Sequence, residues 1–421
     1  GDYTASTTSG TEAARDYSFA VGRSISIQGG FPTGGGTRDF VNNITILNGE
    51  IQDLYEAYHV MVIYGTNATV SIDGFQFKNG FADGTGSVDL GSVTMARNVG
   101  AALYIRDAAN VNIKNCVFYT NVSSNVGGAI YANNSNLRLE NCVFVNNTSG
   151  NNAGAIYLNN LGTAIITNCT LYNNLRLGGG EAVYNTTGTT LTMKNSIIWG
   201  NTVAFGGGGN RNVSYSLLPN GNINNNNLDT DPCFNSVNNL FGTDGKWFTQ
   251  DDGLNLSRSS PAINRGSNDL TPNISQDITR MPRKFNHQID IGAYEKQLLP
   301  SLPDLSFRSI NLDSTDTYVY DGVTAFTVDQ ACRVIALIEP MDATSTRGRM
   351  QAKTYIDAGS TLAFQGTPLV SRHYQINDEQ ATVGNSNKLT FYFNNVNFND
   401  YNLRSDVIAK LPTTTNLEDK D

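Results

Sequence analysis

"GGAIYANNSNLRLENCVFVNN" occupies residues 127–147, and "AGAIYLNNLGTAIITNCTLYNN" occupies 153–174. The second restates the first, and the restatement extends in both directions. "IKNCVFYTN" (113–121), "LENCVFVNN" (139–147), "ITNCTLYNN" (166–174) and "MKNSIIWGN" (193–201) align without gaps. Asn115, Asn141, Asn168 and Asn195 share one column, at steps of 26, 27 and 27 residues; Cys116, Cys142, Cys169 and Ser196 fill the next. Ala102, Ala129, Ala155 and Ala182, inside "AALY", "GAIY", "GAIY" and "EAVY", keep nearly the same steps. Fainter copies are "IDGFQFKNG" (72–80) and "VSYSLLPNG" (213–221).

Such a period is the mark of a solenoid, and its composition decides which kind. Helical repeats would place apolar residues at i, i+3, i+4 and i+7. Here Leu137 and Leu139 alternate with Arg138 and Glu140, and Cys142 and Phe144 follow. Period two, β-branched and aromatic residues and Asn/Gly turns give short strands, several to each repeat. The expected fold is all-β, a parallel β-helix whose coils stack about 4.8 Å apart. A propeller or sandwich does not predict gap-free steps of this size. Phe118 and Phe144 then stack, Leu171 and Ile198 continue their ladder, and the Asn column marks a tight turn, because Asn tolerates left-handed backbone. About nine or ten coils would make a rod some 40–50 Å long. "SGTEAARDY" (9–17) offers a short capping helix, with Ser9 and Glu12 at capping-box spacing.

Charge and composition exclude several classes of function. The chain has 421 residues, a net charge of −9 and only 15% charged residues, with 39% hydrophobic content sufficient for a core. Nucleic-acid binding needs clustered Lys and Arg, as does docking on anionic membranes. No apolar run approaches the roughly 20 residues that span a bilayer. Direct membrane insertion and nucleic-acid partners are therefore not expected. Five cysteines are too few and too oddly spaced for a disulfide framework. The chain opens on Gly1 with no signal peptide, which says nothing about export.

"VGRSISIQGGFPTGG" (21–35), "NITILNGEI" (43–51), "GGAIY", the "NCVF" units, "DPCF" (231–234), "SPAINRGSN" (260–268) and "IDIGAYE" (289–295) occur in one order. This order resembles the right-handed parallel β-helix, a pectin-lyase-like solenoid, of surface proteins in the Bacteroidota (choice-of-anchor Q, or polymorphic-outer-membrane-protein-like). The resemblance covers roughly residues 20–295. It implies a right-handed coil and an extracellular location on the bacterial cell surface. "FTVDQACRVIALIEP" (326–340), "VSRHYQI" (370–376) and "LTFYFNNVNFNDYN" (389–402) resemble a module of large gliding-motility adhesins secreted by the type IX system. In that family the module usually continues past the counterpart of Leu411–Pro412, so the resemblance implies either a truncated module or a disordered remainder before Asp421.

Read without that resemblance, residues 301–421 are still a β-domain. "CRVIALIEP", "RMQAKTYID" and "KLTFYFNN" alternate as the strands of a sandwich do. "KQLLPSLPDL" (296–305) breaks the register with two prolines. The organisation expected is an N-terminal cap at 1–20, a β-helix at 21–297 and a β-sandwich module at 304–421.

Each chemical candidate has a plainer alternative. The cysteine column reads as packing, since Ser196 replaces thiol with another small, weakly polar group. Tyr104, Tyr131, Tyr157 and Tyr184 form a column that is either a structural ladder or an outward strip for gripping sugars. Ala, an aliphatic residue and Tyr are consecutive, so alternation leaves the direction open. In "GTDGKWFTQDDG" (242–253), Asp244, Asp251 and Asp252 are candidate calcium ligands or the acids of a solvated turn.

No catalytic residues are assigned and no cofactor beyond that calcium. Asp107, Glu140 and Glu181 are the acids of the clear coils (100–201) and share no column, whereas glycoside hydrolysis needs two facing carboxylates. His59, His287 and His373 lie far apart in sequence. The expected function is a non-enzymatic adhesin segment whose partners are glycans, external surfaces and neighbouring modules of a long chain. The alternatives are a polysaccharide lyase or glycoside hydrolase on the same fold, and a structural spacer.

Overall fold

A computed structural model describes residues 14–296, with interruptions at 53–54, 92, 161, 178–179, 221–223, 258–259, 271–273 and 285–287. It also describes the strand Asp2–Tyr3 and the backbone of eight strands between 313 and 391. Ser9, Glu12 and His287 lie outside the described residues. Ahead of the first coil, Ala14–Asp16 forms a 3-10 turn.

Each repeat is one coil with three walls. Sheet I holds Phe19–Val21, Met61–Tyr64, Leu103–Arg106, Ile130–Asn133, Ile156–Asn159, Glu181–Asn185 and Val203–Gly206. Sheet II holds Ile25–Gln28, Thr69–Asp73, Asn110–Lys114, Asn136–Glu140, Thr163–Thr167, Thr190–Lys194 and Asn210–Ser214. Sheet III holds Asp2–Tyr3, Ile46–Asn48, Gln76–Lys78, Val117–Tyr119, Val143–Val145, Thr170–Tyr172 and Ile197–Trp199. All pairings within these sheets are parallel. A short fourth wall pairs Phe81–Ala82, Val122–Ser123, Thr148–Ser149 and Leu175–Arg176.

The described strands thus make seven coils, the first at 19–48 and the sixth at 181–199. Isolated bridges from Ile197 to Leu217 and from Leu217 to Leu228 prolong the third wall. Seven strands at about 4.8 Å span about 30 Å, and with Leu217 and Leu228 the third wall reaches nine levels, about 38 Å, a little short of the roughly 40–50 Å rod expected from the sequence. The difference lies in residues 229–296, which the sequence placed inside the helix. Among the described residues there, none forms a further strand.

Strand alternation fills the interior. Sheet III sends Phe77, Phe118, Phe144, Leu171 and Ile198 inward. The Phe77, Phe118 and Phe144 rings stack at 4.7 and 4.6 Å, nearly parallel. Sheet II sends in Val111 and Ile113, then Leu137 and Leu139, then Leu191 and Met193. The Asn column is the corner between sheets II and III, and Asn115, Asn141, Asn168 and Asn195 all take φ near 50°. The neighbouring column is small because each side chain bends back on its own turn. Cys116, Cys142 and Cys169 Sγ donate to the carbonyls of Lys114, Glu140 and Thr167, and Ser196 Oγ donates to Lys194.

A second asparagine ladder stands six residues on. Asn121, Asn147 and Asn174 are fully buried. Asn121 Nδ2 donates to Asn147 Oδ1 (2.9 Å), and Asn147 Nδ2 to Asn174 Oδ1 (2.8 Å). Their amides also satisfy the carbonyls of Phe77, Phe118 and Phe144. These side chains close the backbone accounting where the wall turns out of sheet III.

Residues 229–296 form a strap over the outer face of sheet III. Val117, Val143 and Val145 pack there against Trp247, Phe248, Leu254, Ile278 and Tyr294. Gly292 lies hard against the sheet: its φ is 111°, and a Cβ would stand 2.8 Å from Ile197 Cδ1. Its N–H donates to Asn195 O, and Ala293 N–H to Thr170 Oγ1. The glycine of "IDIGAYE" therefore lets backbone lie on the sheet. Cys233 in the strap is disulfide-bonded, whereas Cys116, Cys142 and Cys169 are free and buried.

Beyond the strap, two three-stranded antiparallel sheets are described. One pairs Asp313–Tyr318, Arg349–Ile356 and Arg372–Asp378; the other pairs Thr324–Val328, Arg333–Pro340 and Asn387–Phe391. The alternating segments "CRVIALIEP", "RMQAKTYID" and "KLTFYFNN" contribute Arg333–Pro340, Arg349–Ile356 and Asn387–Phe391 to these sheets. His373 falls in the first sheet.

Candidate functional site

The tyrosine column faces outward from sheet I. Tyr104, Tyr131, Tyr157 and Tyr184 are Cα partners coil to coil, while Leu103, Ile130, Ile156 and Val183 beside them point into the core. Tyr131 and Tyr157 stack at 5.7 Å and 12°, Tyr157 and Tyr184 at 5.1 Å and 4°. Tyr104 tilts 49° from Tyr131 and is buried. It is covered by an antiparallel hairpin, Ser87–Asp89 with Thr94–Ala96, whose Val88 and Met95 pack on it. His59 sits edge-on to Tyr104, and burial lowers its pKa to about 4.

Tyr131, Tyr157 and Tyr184 stay half-buried. Because the rings are stacked, their faces are occupied by one another, and edges and hydroxyls meet solvent. Asn159 Nδ2 reaches the Tyr131 hydroxyl (3.4 Å) and Asn133 Oδ1 (3.1 Å). The Tyr157 and Tyr184 hydroxyls make no hydrogen bond among the described residues. An Asn133–Asn159 column, unremarked in the sequence, therefore runs beside the phenols. Burial raises the pKa of Tyr131 and Tyr157, so both remain phenols at neutral pH.

A second feature lies at the corner of sheets II and III. A cleft of about 400 Å³ is lined by Arg38, Asp73, Lys114, Glu140, Asn141 and Arg280, among others. Asp73, Lys114 and Glu140 are successive members of one outward column of sheet II. Asp73 lies ahead of the clear repeat, which begins only near residue 100, so the sequence alone shows no column of carboxylates. Asp73 and Glu140 stand two coils apart, about 10 Å between backbones. Each is engaged: Asp73 by Arg38 (3.0 Å), Lys114 (3.6 Å) and Asn115 Nδ2 (2.8 Å), and Glu140 by Arg138. Asn141 donates to Gln276 O of the strap, and its Oδ1 is buried without a partner.

The 242–253 acids go separate ways. Asp251 accepts from Thr243 N–H and Oγ1 and from Thr249 Oγ1, bonds that hold its carboxyl well below the usual range. Asp244 accepts from Lys246 N–H. Asp252 is fully buried, accepts from the Tyr294 hydroxyl (2.9 Å) and Phe248 N–H (3.1 Å), and is pushed by burial to about 7. Among the described residues, no three Asp, Glu, His or Cys side chains form a group that could hold a metal ion.

Glu181 interrupts the Gly128/Gly154 column to accept from Ala153 N–H, in left-handed backbone, and to pair with Arg176 at 3.4 Å. It is a staple between coils.

Among known proteins, residues 59–229 match the family model described as a right handed beta helix region. The match runs from just before the second strand of sheet I to the start of the strap, and it assigns the coil its right-handed sense. No curated protein and no solved structure matches the chain. The fold serves polysaccharide lyases, hydrolases and proteins without catalysis alike, so the match speaks to architecture and leaves chemistry to the site. The chain carries a right-handed parallel β-helix with one outer wall covered, one polar, and one bearing a tyrosine ladder.

Proposed function

We propose that the protein is a non-enzymatic display segment of a bacterial surface adhesin, a stiff β-helix that offers the outer face of sheet I to glycans or surfaces. The observation that carries this reading is the half-exposed ladder of Tyr131, Tyr157 and Tyr184, whose Tyr157 and Tyr184 hydroxyls are unspent among the described residues. Extended, repeated faces are how repeat proteins bind. The disulfide at Cys233 fits an oxidising, extracellular setting. The resemblance of residues 326–402 to modules of type IX-secreted gliding adhesins supports a place within a longer surface chain. Calcium has no part in this reading.

A polysaccharide lyase or hydrolase is the second reading, favoured by the corner cleft that sets Asp73 and Glu140 on either side of Lys114. Binding to immobilised polysaccharides, followed beside a reducing-end and unsaturated-product assay, separates the two. Binding without turnover, weakened by Tyr131→Ala and Tyr184→Ala, is expected. Turnover lost in Glu140→Gln would replace display with catalysis, and no binding to any glycan or surface would leave only a spacer.

A further inference from the structure

We propose that the tyrosine wall takes a neutral, linear polysaccharide lying along the helix axis, one sugar to each coil across Tyr131, Tyr157 and Tyr184. The inference rests on the display reading and adds the ligand's charge, direction and length.

Direction follows from the layout of the wall. A ligand laid along a strand meets one phenol and one amide, as at Tyr131 and Asn133. A ligand laid along the axis meets three phenols in succession, spaced 5.7 and 5.1 Å, flanked by Asn133 and Asn159. That spacing is close to the advance per residue of an extended pyranose chain, so contacts repeat in register with the sugars.

The chemistry presented is that of hydroxyl recognition. Stacked rings offer edges and O–H groups in place of faces, and the Tyr131 oxygen accepts from Asn159, leaving its own proton to donate. Amides and hydroxyls both donate and accept, as sugar hydroxyls do. Neutrality follows because the nearby cations are committed. Arg106 bonds Asp107 and Thr94 O, Arg176 pairs with Glu181, and Arg211 holds Asn185 Oδ1 and the Gly207 carbonyl. Among the described residues, a uronic acid chain would find no uncommitted positive charge along the rungs.

Both ends of the run are defined. The hairpin carrying Val88 and Met95 closes the wall at Tyr104. At the other end Gly206, the Cα partner of Tyr184, supplies no further side chain. Three rungs remain.

The test is calorimetric titration of the full chain with linear β-1,4-glucose and β-1,4-mannose oligomers, from disaccharide to hexasaccharide, and with galacturonate oligomers as the charged comparison. Affinity for a neutral series should rise to the trisaccharide and then level. Tyr157→Phe keeps the ring stack and removes one hydroxyl, and should weaken binding about 2- to 10-fold. Asn112→Ala, on sheet II, should leave it unchanged. Preference for galacturonate, affinity that ignores length, or indifference to Tyr157→Phe would overturn the inference and leave display standing. Binding to no oligomer overturns it as well; silence on immobilised glycans and surfaces too would fell both.

Discussion

Asn141 and Asn147 stand six residues apart in one coil and do different work. Asn141 turns the corner in left-handed backbone, where its lack of β-branching matters most. Asn147 is sealed inside, accepting from Asn121 N–H and Nδ2 while donating to Phe118 O and Asn174 Oδ1. Replacing it with Ala strands several buried polar groups and should cost about 2–4 kcal/mol in urea unfolding, against about 0.5 kcal/mol or less for Asn112→Ala. The thiol column makes a complementary prediction. Burial pushes Cys116 up to about 12 and Cys142 well above the usual thiol range. Because all three thiols are fully buried, a thiol-labelling reagent at pH 8 should modify Cys116, Cys142 and Cys169 only after denaturant is added. Rapid labelling of the native protein would contradict their burial. Much at this scale was legible: every aligned segment ends in the Asn of the buried ladder, and Ser196 among the cysteines announced a small polar slot. The direction of the tyrosines was not legible, because three consecutive residues start the strand and only the stacked neighbours decide which of them turns outward.

The strap is the element with the most unusual electrostatics. Asp252, Asp277, Asp290 and Glu295 are all buried in it, with Arg283 buried among them. Burial raises Asp252 and Asp290 to about 7, while backbone donors from Asn264 and Lys296 hold Asp290 in place. Both pKa values lie above the roughly 3.9 of an unfolded Asp, so the folded state binds more protons between about pH 4 and pH 7. Their contribution to stability is full below pH 4 and is lost as pH rises through 7. His59, lowered to about 4, works in the opposite sense, losing stability as pH falls from about 6.5. Urea unfolding read by the buried Trp247 should therefore show the strap weakening from pH 5.5 to pH 8, with Asp252→Asn flattening the slope. An unchanged slope in that variant would remove Asp252 from the account. The strap escaped the sequence reading because it has no period. Its hydrogen bonds to the corner residues Asn195 and Asn141 join positions 72 and 135 apart, and its motifs "DPCF", "SPAINRGSN" and "IDIGAYE" keep no repeat that would place them on a wall.

At the scale of the molecule, the three walls have unequal fates. Sheet III is shut by the strap, sheet II is polar and carries the alternating Asp73–Lys114–Glu140 column, and sheet I keeps the ladder. The period told how the walls are built and what fills them; which wall stays open depended on the non-repeating hairpin and strap. The same division has a bearing on length. Solenoids ordinarily grow by whole coils, since each coil meets only its neighbours. Here the strap is fastened at Asp39 by Arg280 (3.0 Å) and against Phe40 by Phe248 in the first coil, at Asn141 in the fourth, and at Asn195 by Ser267 in the sixth. It works as a gauge. A duplicate of residues 127–152 would add one rung of about 4.8 Å that the interior accepts and the strap does not span. Such a variant should keep its β circular dichroism yet expose Trp247 to quenchers, and native-like shielding of that indole would show that the gauge stretches. The seven coils are thus counted from outside, by a segment that belongs to none of them.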